Sequence, residues 1–173
     1  YGNRITATIF RRRLRRVSGK LMPIYALGEF EPQIDSGAYV HPEAVIIGNV
    51  TIGSESSVWP HAVIRGDDGK IVIGARSSIQ DNAVIHCIPQ VVTTVGNDVT
   101  LGHLCHLEGC RIEDEALVGV GAVVLHNAVV GRGSIVGANA VVRNGQEIPH
   151  LSMGLGVTAQ VREGVVEAGA NML

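Results

Sequence analysis

Aromatic side chains are almost missing from this chain: one Trp, two Phe and three Tyr, 3% of 173 residues. An interior built without rings must be narrow and aliphatic. Cysteine is scarce too, with three residues and no CxxC spacing. No disulfide framework is therefore encoded, and a reduced, cytoplasmic setting is expected. No apolar run is long enough to span a bilayer, so no membrane partner is expected. Acidic residues are missing from positions 1–21, which hold seven basic ones: Arg4, Arg11, Arg12, Arg13, Arg15, Arg16 and Lys20. From Met22 onward seven basic residues face sixteen acidic ones, a formal −9. A body that acidic argues against nucleic acid. The Arg-rich run has the composition of a basic patch or a transit segment. It is read here as a basic leader or upstream extension, expected to be disordered.

What the chain does have is a ladder. Val40, Ile46, Ile52, Val58 and Ile64 lie six apart. Ile73, Ile79 and Ile85 follow a three-residue insertion, and Val95, Leu101 and Leu107 follow a longer one. After one short step come Ile112, Val118, Val124, Val130, Val136 and Val142. The residue two places before each rung is nearly always small, as at Ala44, Ala62, Ala83, Cys105, Ala122 and Ala140; only Ile71 is bulky. A six-residue period fits neither a helix nor a hairpin sheet and predicts a parallel β-helix of hexapeptide repeats.

Each hexapeptide then forms a short strand with one large and one small inward residue, followed by a corner where Gly, Asn and Asp tolerate positive φ. Three strands close a triangular coil, so the seventeen rungs predict between five and six coils in an all-β solenoid. Four segments are expected: the leader 1–21, a capping segment 22–39, the hexapeptide β-helix 40–145, and a C-terminal segment 146–173 with a short helix near 158–169. Cys105 and Cys110 fall at small inward positions and are expected to be core thiols.

The register also places outward residues. Every third rung shares a face, so Arg65, His86 and Glu108 stack one above another at about 4.8 Å per coil. At the corner leading into that face Asp81 sits beneath His103, and His106 projects from the same strand as Glu108. Imidazoles and carboxylates on adjacent coils suit a divalent metal, with zinc, iron or cobalt favoured. A flat face surrounds a metal poorly, so a neighbouring subunit is expected to complete the site in a threefold ring. His41, His61, His126 and His150 are read as ordinary surface histidines. Arg65 and Asp67 suit either an interface ion pair or an active site, and Trp59 is read as packing between subunits.

The stretches SVWPHAVIRGDDGKIVIGARSSIQDNAVIH (57–86) and VGNDVTLGHLCHLEGC (95–110) resemble the γ-class carbonic anhydrase family of left-handed β-helix proteins. The resemblance runs from about Met22 to Gly156. It implies a left-handed coil and a homotrimer with metal, zinc or else iron or cobalt, between subunits. The reaction it implies is reversible hydration of CO2 to bicarbonate. It makes His86 and His103 metal ligands and has Arg65, Asp67, Gln80 and Asp81 line the site. One position departs: the third family ligand falls at Glu108, in LEGC rather than LHGC. Either His106 takes over as ligand, the reading adopted here, or Glu108 ligates directly or orients His106. Asp68 and Glu108 are the candidate proton carriers.

Two other classes share the fold. A hexapeptide acyltransferase would use acyl-CoA and a general-base His, for which His126 is the candidate. Against it, the insertion at 86–94 is short for wrapping a pantetheine arm. A non-catalytic metal-binding or scaffold protein would account for the altered LEGC motif.

Overall fold

A computed structural model describes residues 14–16 and 22–167. The basic leader lies outside this range except for Leu14–Arg16, a strand antiparallel to Ile24–Leu27. From Ile24 onward the chain winds as a left-handed parallel β-helix of about seven turns. One face is built from Ile24–Leu27, the first halves of Val45–Ile52 and Val63–Ile73, then Val84–His86, His106–Glu108, Val123–Val124 and Val141–Val142. Its inward column is Ile24, Ile46, Ile64, Ile85, Leu107, Val124 and Val142, all buried. The stack is longer than the seventeen rungs imply, because Ile24 and Ile34 add strands below the ladder and Ile148 and Gly154 add strands above it.

Sequence dictates this shape locally. Inward and outward residues alternate, so burial alternates along Val45–Ile52 residue by residue. The corner that leads into the first face is occupied by His61, Asn82, Leu104, Gly121 and Asn139, each with φ between 56° and 68°. Asn and Gly relax there, while His61 and Leu104 are held by the coil stack. Four of these corners hydrogen-bond the one below: Asn82 N to Pro60 O, Leu104 N to Asp81 O, Gly121 N to His103 O and Asn139 N to Val120 O. Ser56 and Ser77, buried among aliphatic groups, donate to the carbonyls of Gly74 and Gly96 at 2.7 and 2.8 Å. These bonds satisfy hydroxyls that burial would otherwise penalise.

The three-residue insertion is a bulge at the next corner. Gly48 pairs with Gly66 and Val50 with Ile71, so four residues of Val63–Ile73 stand opposite the single Asn49 and the register shifts there. An added Cβ on Gly66 would lie 2.5 Å from Asn49 O, so only glycine lets the two coils approach there. Ile71, the bulky exception, stays inside, fully buried between Val50 and Thr93.

The C-terminal helix expected near 158–169 does not form over the described residues. Gln160–Arg162 instead turns back as a strand antiparallel to Met153–Leu155. The apolar residues that suggested a helix, Val161 and Val165, are exposed, so no helical face is buried to stabilise one. Among the described residues no helix is long and apolar enough to cross a membrane.

Candidate metal centre

Cross-strand pairing sets Arg65 beside His86 and His86 beside Glu108 on three successive coils. The bulge returns Asp67 over the same face, where its buried carboxylate meets the Arg65 guanidinium. Asp67 Oδ1 also lies 2.8 Å from His86 Nε2, and Glu108 Oε1 lies 2.8 Å from His86 Nδ1. Both ring nitrogens therefore face a carboxylate acceptor. Only a doubly protonated ring can donate to both at once.

The electrostatics agree. The hydrogen bond to Asp67 raises the His86 pKa above the ordinary imidazole value; burial opposes it and the bond to Glu108 adds to it. Burial alone would raise Asp67, but the His86 hydrogen bond and the Arg65 charge outweigh it and hold the carboxyl low. Glu108 is balanced the same way, with burial overcome by the bonds from His86 and His126. Thr93 locks the loop that follows, its Oγ1 donating to His86 O at 2.6 Å and accepting from Gly109 N at 2.9 Å.

The remaining expected site residues fall at different places. His103 lies at the preceding corner, its Nδ1 3.0 Å from Asp81 Oδ2, and half exposed. Gln80 is partly exposed at the same corner. His106 Nε2 stands 3.7 Å from Glu108 Oε2. One chain does not gather His86, His103 and His106 into one coordination sphere. The three potential ligands that the described residues do bring within 4.8 Å are Asp67, His86 and Cys87. Cys87 is a poor member of that group: burial pushes its thiol up, and Sγ donates to Arg65 O at 3.6 Å.

His126 was not legible as part of this cluster. Its Nε2 reaches Glu108 Oε2 at 3.1 Å from the coil above. That nitrogen is buried against the Glu108 carboxylate. His86 and His126 thus approach different oxygens of the one Glu108 carboxylate from the coils below and above it, an ion-pair arrangement that helps hold that carboxylate ionised.

The stacked coils and their six-residue period define a hexapeptide-repeat protein. Residues 31–66 and 109–144 match the family model described as bacterial transferase hexapeptide (six repeats). A Methanocaldococcus jannaschii protein named "Probable carbonic anhydrase" is 56% identical over 118 residues, covering 68% of this chain and 74% of its own. Gamma carbonic anhydrase 3, mitochondrial, of Arabidopsis thaliana is 42% identical over 53% of this chain, a match spanning only 38% of the plant protein. Among solved structures, a hexapeptide transferase family protein from Anaplasma phagocytophilum aligns with TM-score 0.75 and 36% identity, covering 78% of this chain and 79% of that one. The chain belongs to the γ-class carbonic anhydrase-like family of hexapeptide-repeat proteins.

Proposed function

We propose that this chain is a metal-dependent carbonic anhydrase, hydrating CO2 to bicarbonate at a site shared between subunits of a homotrimer. The observation that carries the reading is the Arg65–Asp67–His86–Glu108 chain of contacts on three stacked coils. His86 and Glu108 would hold the metal from one chain. His103, set apart at its corner beside Asp81, would reach it from a neighbouring subunit. A divalent metal bound there supplies Lewis acidity that makes water nucleophilic near neutral pH.

The chain's own groups prepare that site. Arg65 fixes the Asp67 carboxylate, and Asp67 in turn holds His86 Nε2–H, a carboxylate–histidine arrangement that sets the tautomer. His86 Nδ1 is then left facing Glu108 as the donor atom. The proton released when His86 gives up its second N–H passes to solvent past Glu108, which is only partly buried.

Acyl transfer is the competing reading, and the Anaplasma relative's name lends it support at the level of fold. Its candidate base, His126, has Nε2 shut away from solvent against Glu108, where no acyl acceptor can reach it. Stopped-flow CO2 hydration, run on protein loaded in turn with zinc, cobalt and anaerobic iron, tests the proposal. Catalysis above the free-ion rate supports it. A fully loaded protein that leaves CO2 hydration at the background rate overturns it.

A further inference from the structure

Resting on that reading, we infer that Thr93 is the positioning residue that keeps His86 and Glu108 in line. The strands that carry the pair are short and end on it, Val84–His86 below and His106–Glu108 above. Ladder pairing therefore stops where the contact between the two side chains has to be kept. Beyond His86 the chain leaves on the connection to Thr93–Val95, which closes a turn of its own between Ile88 and Val91. Beyond Glu108 the chain turns at Gly109, with φ +59°.

Thr93 returns from that connection into the coil interior and is fully buried. It takes the small inward position that is Ala44, Ala62, Ala83 and Ala122 in other rungs, so packing alone does not call for a hydroxyl there. Its Oγ1 donates to His86 O at 2.6 Å and accepts from Gly109 N at 2.9 Å. Gly109 N belongs to the peptide bond that Glu108 begins. One hydroxyl thus ties the last carbonyl of the lower strand to the first amide past the upper one. Without it both backbone groups lose a partner and the two strand ends can part. The 2.8 Å contact from His86 Nδ1 to Glu108 Oε1 tolerates little of that, because a hydrogen bond weakens steeply with misalignment. Ser77 makes the same pair of bonds away from the site, its Oγ donating to Gly96 O at 2.8 Å and accepting from Val99 N at 3.1 Å. Removing either hydroxyl costs the fold two hydrogen bonds, and only the Thr93 loss reaches His86 and Glu108.

The test compares Thr93→Val, Thr93→Ser and Ser77→Ala in the full chain, with Glu108→Gln as the reference for a broken contact. NMR shifts of the His86 ring nitrogens read the contact in metal-free protein, at a fixed pH about one unit below the ordinary imidazole value. Co2+ titration reads the site, and chemical denaturation reads the fold. Thr93→Val is expected to move the His86 shifts toward those of Glu108→Gln and to weaken Co2+ binding about 10-fold. Thr93→Ser is expected to restore both. Ser77→Ala is expected to lower the denaturation midpoint while both stay at wild-type values. Should Thr93→Val not fold, Thr93→Ala takes its place, since alanine already fills the equivalent position in other rungs. Wild-type His86 shifts and Co2+ affinity in a folded variant without the hydroxyl overturn the inference, and so does a Ser77→Ala protein that reproduces the Thr93→Val changes. Failure of the CO2-hydration reading alone would appear as wild type that takes up no Co2+, or takes it up without hydrating CO2, while the His86 shifts still follow the Thr93 hydroxyl.

Discussion

Glu108 stands directly above His86 in the ladder and closes a 2.8 Å contact to its Nδ1. Removing the charge while keeping the shape, as in Glu108→Gln, takes away one of the two carboxylates facing that ring. The His86 pKa is expected to fall in the metal-free variant, read by NMR of the imidazole protons. Divalent-metal affinity is expected to fall at least ~10-fold. An unchanged His86 titration would show that the contact does not persist in solution.

Asp67 acts on the same ring from the other side. Asp67→Asn loses the anion paired with both Arg65 and His86. Its buried position makes the loss structural as well, about 1–3 kcal/mol in chemical denaturation. Metal affinity is expected to drop about 10–100-fold by calorimetry, because the tautomer is no longer fixed. Equal stability and affinity in the variant would remove Asp67 from the site.

Stability of the metal-free protein should depend on pH with a definite sign. His86 is raised, so its contribution is complete below the unfolded value near 6.5 and is lost as pH climbs through the folded one. Asp67 and Glu108 are lowered, so theirs is present above about 4–4.5 and is lost as pH falls through their folded values. The cluster stabilises most between about pH 4.5 and 6.5. Melting temperatures across a pH series check this, with Asp67→Asn flattening the profile. Metal affinity runs the opposite way on the alkaline side, rising as His86 gives up its second proton.

Gly66 separates Arg65 from Asp67 and sits against Asn49. Gly66→Ala places a methyl 2.5 Å from Asn49 O, so the bulge must open. A cost of about 1–3 kcal/mol is expected, together with weaker metal binding because Asp67 shifts off His86. Denaturant melts and Co2+ titration read the two effects separately.

The three thiols should be silent. Burial pushes Cys105 and Cys110 up to about 12 and raises Cys87 as well. A thiol reagent at mildly alkaline pH is expected to modify none in the native protein and all three after unfolding. Rapid labelling of the native chain would contradict the core placement.

The ladder was readable because inward burial repeats with the coil, and a residue's neighbour above or below is then fixed by counting. Counting placed Arg65, His86 and Glu108 on one face, since all three are outward strand positions. It failed where the register shifts or the strand ends. Asp67 lies in a bulge whose path depends on the Gly48–Gly66 contact. His126 lies past a strand end, where corner dihedrals decide which way a side chain swings, and a sequence read by period alone makes it an ordinary surface residue. The terminal helix failed for a different reason: weak periodicity left nothing to outweigh pairing with the free edge of Met153–Leu155.

Inward Ile85, Leu107, Val124 and Val142 are equivalent steps of one translation, with His86 and Glu108 the outward residues that follow the first two and Leu125 and Arg143 those that follow the others, just past the strand ends. The frame has no preferred storey. An imidazole written at 125 and a carboxylate at 143 would follow the same inward column as His86 and Glu108, while the bulge that brings in Asp67 would stay at its own coil, so the stacked pair is portable along the shaft and its Asp67 anchor is not.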